Sequence, residues 1–182
     1  MNILRKTPVA WSITIVLILV AILGLGGSKL SNQAEQAAQF FYQGINNDGL
    51  SINHDLSRRA DTAYNLYTVA SRYLDATDSQ LTALLQARNQ LTAAESIADK
   101  YTANNLLDQS ALAVYDKLAE YQLSEADQGY RQSLITELAS ANATISHDGY
   151  NAKATDFNNL RNGFPAALIS KLCGIDELEY FR

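Results

Sequence analysis

Two histidines, His54 and His147, are each followed directly by an aspartate, Asp55 and Asp148. Imidazoles beside carboxylates can hold zinc or move protons. Both uses need the groups to converge, as in His-Glu-x-x-His on one helix face. Here the two pairs lie far apart in the chain and neither sits in such a pattern. The single Cys173 excludes an intrachain disulfide. Serines, histidines and aspartates occur at no spacing that singles out a triad. Gly24, Gly26 and Gly27 close an apolar run rather than cradle a phosphate after a strand. The reading therefore assigns no catalytic, metal-ligating or cofactor-binding residue, and expects neither an enzyme nor a cofactor.

Recognition chemistry is better represented. Asp55 precedes Arg58 and Arg59 by three and four residues, so all three can meet on one helix face as ion pairs of about 0.2 to 0.5 kcal/mol. The alternative makes Arg58 and Arg59 an anchor for the last bundle helix or for an acidic partner. Tyr150, Phe157 and Phe164 recur every seven residues, followed by Asn151, Asn158 and Pro165. That spacing predicts one aromatic edge packed in a helical core, with ligand stacking as the other use. Asn151 and Asn158 are then placed to hold register by hydrogen bonds across helices.

These groups must be positioned by elements that the rest of the chain announces. Val9 to Leu25 is an apolar run without a charged residue, about 26 Å long as a helix and close to the ~30 Å hydrocarbon thickness once residues 8–27 are counted. Arg5 and Lys6 precede it and only Lys29 closely follows, so the positive-inside rule puts residues 1–7 in the cytoplasm and residues 28–182 outside. A cleaved signal peptide is the competing reading, since Gly24-Leu25-Gly26 offers a small-x-small site.

Of the 14 basic residues, Arg5 and Lys6 lie before the run, whereas all 19 acidic ones follow it. A following segment with a net charge of −7 is a poor partner for nucleic acid. Pro8 and Pro165 are the only prolines, and the Ala, Leu, Gln and Asn-rich stretch between them suits long helices rather than short strands. Ile52, Leu56, Ala63, Tyr67 and Ala70 mark one helical stripe after a glycine-bounded breaker at residues 44–49. Thr77-x-x-Gln80 fits a capping box for a second, whose stripe runs from Leu81 through Ala98 and fades near Asn104 and Asn105. A third runs from Leu106 to about Tyr121. Ser124-x-x-Asp127 opens a fourth that continues through Ile145 and Phe157 to Leu160. Asn162-Gly163 stops it, Pro165 starts a short helix and Gly174 ends that. Tyr180 and Phe181 are expected to fold back over an open seam.

The chain resembles the LemA family of bacterial membrane-anchored helical proteins in two stretches. One is Leu56-Ser57-Arg58-Arg59-Ala60-Asp61 with Asn65-Leu66, Val69, Tyr73 and Ala87-Arg88; the other is Tyr150-Asn151, Phe157-Asn158, Phe164-Pro165, Gly174 and Tyr180-Phe181. Thr62 to Tyr67 replaces the family's usual Ile-Pro-Asn-Leu-Val, and Ala76-Thr77-Asp78 stands where a His-Glu pair is usual, as in a diverged member. The resemblance implies an N-terminal membrane helix, an external bundle of long antiparallel helices and no catalytic residues.

The expectation is an all-α chain: a transmembrane helix, an antiparallel bundle of about four long helices and a short C-terminal helix. It would serve as a non-enzymatic scaffold or interaction protein of the cell envelope, its partners being the bilayer through residues 8–27 and a membrane protein or a second copy. An extracytoplasmic sensory bundle that binds a small ligand is the alternative.

Overall fold

In the computed structural model, residues 7–44 and 49–182 are described, with side chains from residue 10 onward. They form seven helices, α1 (Thr7–Gln43), α2 (Ile52–Ala70), α3 (Ser79–Ala93), α4 (Ile97–Leu118), α5 (Glu125–Ser146), α6 (Tyr150–Asn162) and α7 (Ala166–Cys173), and no strand among the described residues. Arg5, Lys6 and residues 45–48 of the expected breaker lie outside them. Its edges are plain: α1 stops at Gln43, and Gly44 takes φ 77°, a left-handed conformation that suits glycine.

Short polar side chains set most of the helix starts. Ser51 Oγ accepts from the His54 amide at 3.1 Å, Ser96 Oγ from Asp99 at 3.0 Å and Ser124 Oγ from Asp127 at 3.1 Å. Each satisfies an amide that has no partner within its own helix. The cap of α3 is Asp78, whose carboxylate accepts from Gln80 and Leu81 at 2.9 and 3.1 Å. Thr77, the expected cap, lies one residue outside.

Two further boundaries differ from the sequence reading. The second stripe breaks at Ala94–Ser96, and Asn104 and Asn105 sit in the middle of α4 rather than at a helix end. The fourth helix is two, α5 and α6, separated at His147–Gly149, where the Asp148 side chain accepts from the Tyr150 amide at 2.7 Å. Pro165 and Gly174 bound α7, the latter at φ 66°.

The chain divides into two compact units. One comprises Gln39–Asn151 with Glu179–Arg182. In it α2 packs against α3, α4 and α5, and α4 against α3 and α5. Leu66, Leu84, Leu107, Val114 and Leu118 are fully buried in its core, and their removal from water is the main stabilising term. Lys117 of α4 pairs with Asp78, the cap of α3, and Arg72, just past the end of α2, with Asp127 of α5.

The other unit comprises residues 1–38 and 152–178. Its core is Leu30, Ala37, Phe157 and Ile169, flanked by Leu23, Ala34, Ala166, Ile175 and Leu178. Gly26 and Gly27 let α7 lie close to α1. A Cβ on Gly27 would fall 2.7 Å from Cys173 Sγ, and one on Gly26 2.9 Å from Ile169 Cδ1.

Candidate functional site

The arginine pair separates into two roles because consecutive helical positions point about 100° apart. Arg59 is 0% exposed. Its Nε donates to Asn104 Oδ1 at 2.7 Å, one terminal nitrogen to the Leu138 carbonyl and the other to the Asp108 carboxylate. Asn142 closes the ring, accepting from Asn104 Nδ2 at 3.1 Å and donating to Asp108 Oδ2 at 2.9 Å. A buried guanidinium is tolerable only with a counter-charge and acceptors for its donors, and α4 and α5 supply them together. Arg58 instead lies half exposed, 3.6 Å from Asp55 and 3.5 Å from Glu137, pairs of the kind that water largely screens.

Asn104, Asp108 and Asn142 were invisible as partners in the sequence. The apolar stripe of α4 fades at Asn104 because that position is buried for its amide rather than for apolar surface. Arg131 was equally silent: its Nε donates to the Tyr115 carbonyl at 2.8 Å while the guanidinium lies 3.8 Å from the Tyr115 ring centroid, a cation–π contact joining α4 to α5.

Asn151 and Asn158 do reach across from α6, but to the C-terminal tail rather than to another helix. Asn158 donates to the Leu178 carbonyl at 2.9 Å and accepts from the Leu178 amide at 2.8 Å. Asn151 does the same with Phe181, at 2.9 Å in both directions. A carboxamide carries a donor and an acceptor side by side, so it pairs with a peptide as another strand would. Tyr150 adds a bond from its hydroxyl to the Glu179 carbonyl at 2.7 Å. The Glu179 carboxylate accepts from the Ile97 and Ala98 amides at 2.7 and 3.2 Å, capping α4 from the far end of the chain. Phe181 is buried, 5.3 Å from the Tyr101 ring and 5.9 Å from Phe41.

The aromatic edge covers two of its three positions. Tyr150 and Phe157 are buried, whereas Phe164 is 91% exposed. The heptad fails there because α6 ends at Asn162, before the third aromatic is reached; the Phe164–Pro165 peptide between α6 and α7 is cis. His54 and His147 both lie exposed, one in the first turn of α2 and one capping the end of α5. Among the described residues no three of His, Cys, Asp and Glu gather at metal-binding distance.

Asp127 accepts from the Tyr73 hydroxyl at 2.6 Å and from Ser124 Oγ at 2.9 Å, and these bonds with the Arg72 charge hold its carboxyl below the usual range. Bonding to Lys117 does the same for Asp78 and raises the Lys117 ammonium in turn. Asp148 moves the other way, because burial and the nearby Asp55 charge outweigh the Tyr150 amide.

Such a chain is an all-helical bundle protein whose long first helix is apolar enough over its N-terminal part to cross a membrane. Residues 50–182 match the LemA family model, and the chain belongs to the LemA family. No curated protein and no solved structure matches it.

Proposed function

We propose that this chain is a single-pass, membrane-anchored helical scaffold or interaction protein of the bacterial cell envelope, non-enzymatic, with its N-terminus cytoplasmic and the rest of the chain outside. The observation that carries the reading is the surface of α1. Trp11, Leu17, Val20 and Leu25 and the apolar residues between them are largely exposed, in a helix long enough to span the hydrocarbon. Thr14 sends its hydroxyl back to the Ala10 carbonyl at 3.0 Å, so that polar group is satisfied within the helix as a bilayer requires. Arg5 and Lys6 before the span, against Lys29 just after it, support the orientation.

The scaffold is favoured over a ligand sensor by the state of a cleft of about 310 Å³ lined by Tyr101, Asn104, Asn142, Asp148 and Phe181 among others. Three of its polar side chains are already engaged, Asn104 and Asn142 in the ring around Arg59 and Asp148 on the Tyr150 amide.

Two measurements test the proposal. Alkaline carbonate should leave the protein in the membrane fraction and detergent should release it. In a Cys173→Ala background, a cysteine placed at the exposed Ser133 should react with an impermeant maleimide in intact spheroplasts. Labelling only after permeabilisation would reverse the orientation, and extraction by carbonate would remove the anchor.

A further inference from the structure

Helix α7 leaves an apolar face uncovered. Ile169 and Cys173 pack on Gly26 and Gly27 of α1, and Cys173 Sγ lies 3.9 Å from the Leu23 carbonyl. About 100° round the helix from them Leu168 is 56% and Leu172 61% exposed, one helical turn apart, with the bare ring of Phe164 just before the helix. A groove of about 220 Å³, walled by Leu30, Leu160, Pro165, Ala166 and Ile169 and edged by Lys29, runs beside them.

The contacts with α1 give α7 a depth. Its last residue meets Leu23 and Gly27, and its first turn, at Pro165 and Ala166, lies by Lys29 and Gln33. It therefore runs antiparallel to α1, and its C-terminal turn reaches back to the final turn of the Val9 to Leu25 run. Leu25, two residues from both Leu23 and Gly27 and so turned away from α7, is 78% exposed at the same level of α1. The uncovered face thus lies at the depth where the apolar run of α1 ends. Lys171 shares the exposed side of α7, where an ammonium can reach lipid phosphate while its stem lies in apolar surroundings.

We propose that α7 dips into the outer leaflet beside α1, with Leu172 and Leu168 entering the acyl boundary and Phe164 on the headgroup side. This rests on the reading of α1 as a membrane span. The occupant is lipid, because the face lies at the depth where the span emerges, and an apolar side chain there gains by transfer from water to hydrocarbon.

The full-length chain reconstituted in phosphatidylcholine and phosphatidylglycerol vesicles tests this. Leu168→Cys, Leu172→Cys and, as control, Ser133→Cys are made in Cys173→Ala and labelled with an environment-sensitive fluorophore; helical content by circular dichroism confirms folding. Lipids brominated near the top of the acyl chain should quench the label strongly at 172, less at 168 and not at 133, while iodide in the buffer shows the reverse order. The sole tryptophan, Trp11, reports the span independently. Quenching of Trp11 by bromolipid with the labels at 168 and 172 open to iodide overturns the proposal and leaves the anchor standing. If Trp11 is unquenched as well, both readings fall. Shielding that disappears when protein is diluted in the membrane points to a second copy instead and also overturns it.

Discussion

Asn158 and Leu178 hold each other through two hydrogen bonds, amide group to peptide group, in the manner of paired strands. Asn151 repeats the arrangement with Phe181 seven residues earlier on the helix and three later on the tail. Seven residues of helix advance about 10.5 Å, a distance that three residues of chain cover only when nearly extended. The tail is thereby held open for a side-chain amide to pair with, and the spacing of the asparagines is the measure of it.

Asn158→Ala removes both bonds and leaves a partly buried peptide unpaired, a loss of about 1–3 kcal/mol. Asn158→Asp keeps the acceptor for the Leu178 amide but places a charge against its carbonyl, so it should be no better tolerated. Hydrogen exchange read at the Leu178 amide checks this. Both variants should accelerate it, and protection unchanged in Asn158→Ala would show that the tail is held by packing alone.

Arg59 and Arg58 should differ by far more than their adjacency suggests. Arg59→Ala strands Asp108 and the Leu138 carbonyl and should cost about 3–5 kcal/mol, whereas Arg58→Ala should stay within about 1 kcal/mol. Arg59→Lys retains the charge but not the fork that reaches three acceptors on two helices, so it should recover only part of the loss. Urea unfolding of the three variants in detergent decides. Equal losses at 58 and 59 would mean that the ring around Arg59 contributes no more than a surface pair.

The fate of these residues separates what a sequence can display from what it cannot. Helix class and the Ser124 cap were legible, because periodicity and a Ser-x-x-Asp signal are local. The division of the double arginine was not, since it depends on Asn104, Asp108 and Leu138, 45 to 79 residues away. The break before α4 hid for the same reason: a cap from Glu179 stabilises a helix start that its own neighbourhood advertises only through Ser96. Heptad spacing found Tyr150 and Phe157 but carried on to Phe164, past the helix end that Asn162-Gly163 had already marked. The asparagines were legible as polar partners, and their target was not, because a non-helical tail has no period.

Acid should unfold the bundle partly through Asp127. Its carboxyl titrates below the ordinary value in the folded state, so it adds stability that is present above the unfolded value of about 3.9 and is lost as pH falls through the lower folded one. Tyr73→Phe removes the first of the bonds that lower it. The variant should be less stable than the parent at neutral pH, and the gap should narrow toward pH 2 in thermal melts. A gap independent of pH would detach the hydroxyl from the titration.

Asp148 has the opposite sign. Its folded value is raised by burial, so stability falls as pH climbs from about 3.9 through that raised value, and the deficit persists above it. Asp148→Asn keeps an oxygen for the Tyr150 amide and removes the charge. It should melt higher than the parent at pH 7, with the advantage shrinking as pH drops below the folded value. A variant that melts lower at pH 7 would show that the carboxylate contributes more through its bond to Tyr150 than burial takes away.

The close approach of α7 to α1 can be tested by exchanging space across it. A methyl group on Gly27 would meet Cys173 Sγ at 2.7 Å, but the Cys173 Cβ at 3.6 Å, an ordinary contact. The obstacle is thus one sulfur atom. Gly27→Ala should destabilise the packing of residues 1–38 against 152–178 in the parent, by about 1–3 kcal/mol for overpacking, and should be close to neutral in Cys173→Ala. Residues in contact couple in this way, and a double-mutant cycle measures it. Protease resistance of the α6–α7 connection in detergent gives the readout. Additive effects would mean that α7 shifts along α1 to accept the methyl group, and that the glycine pair contributes helix flexibility rather than a seat for Cys173.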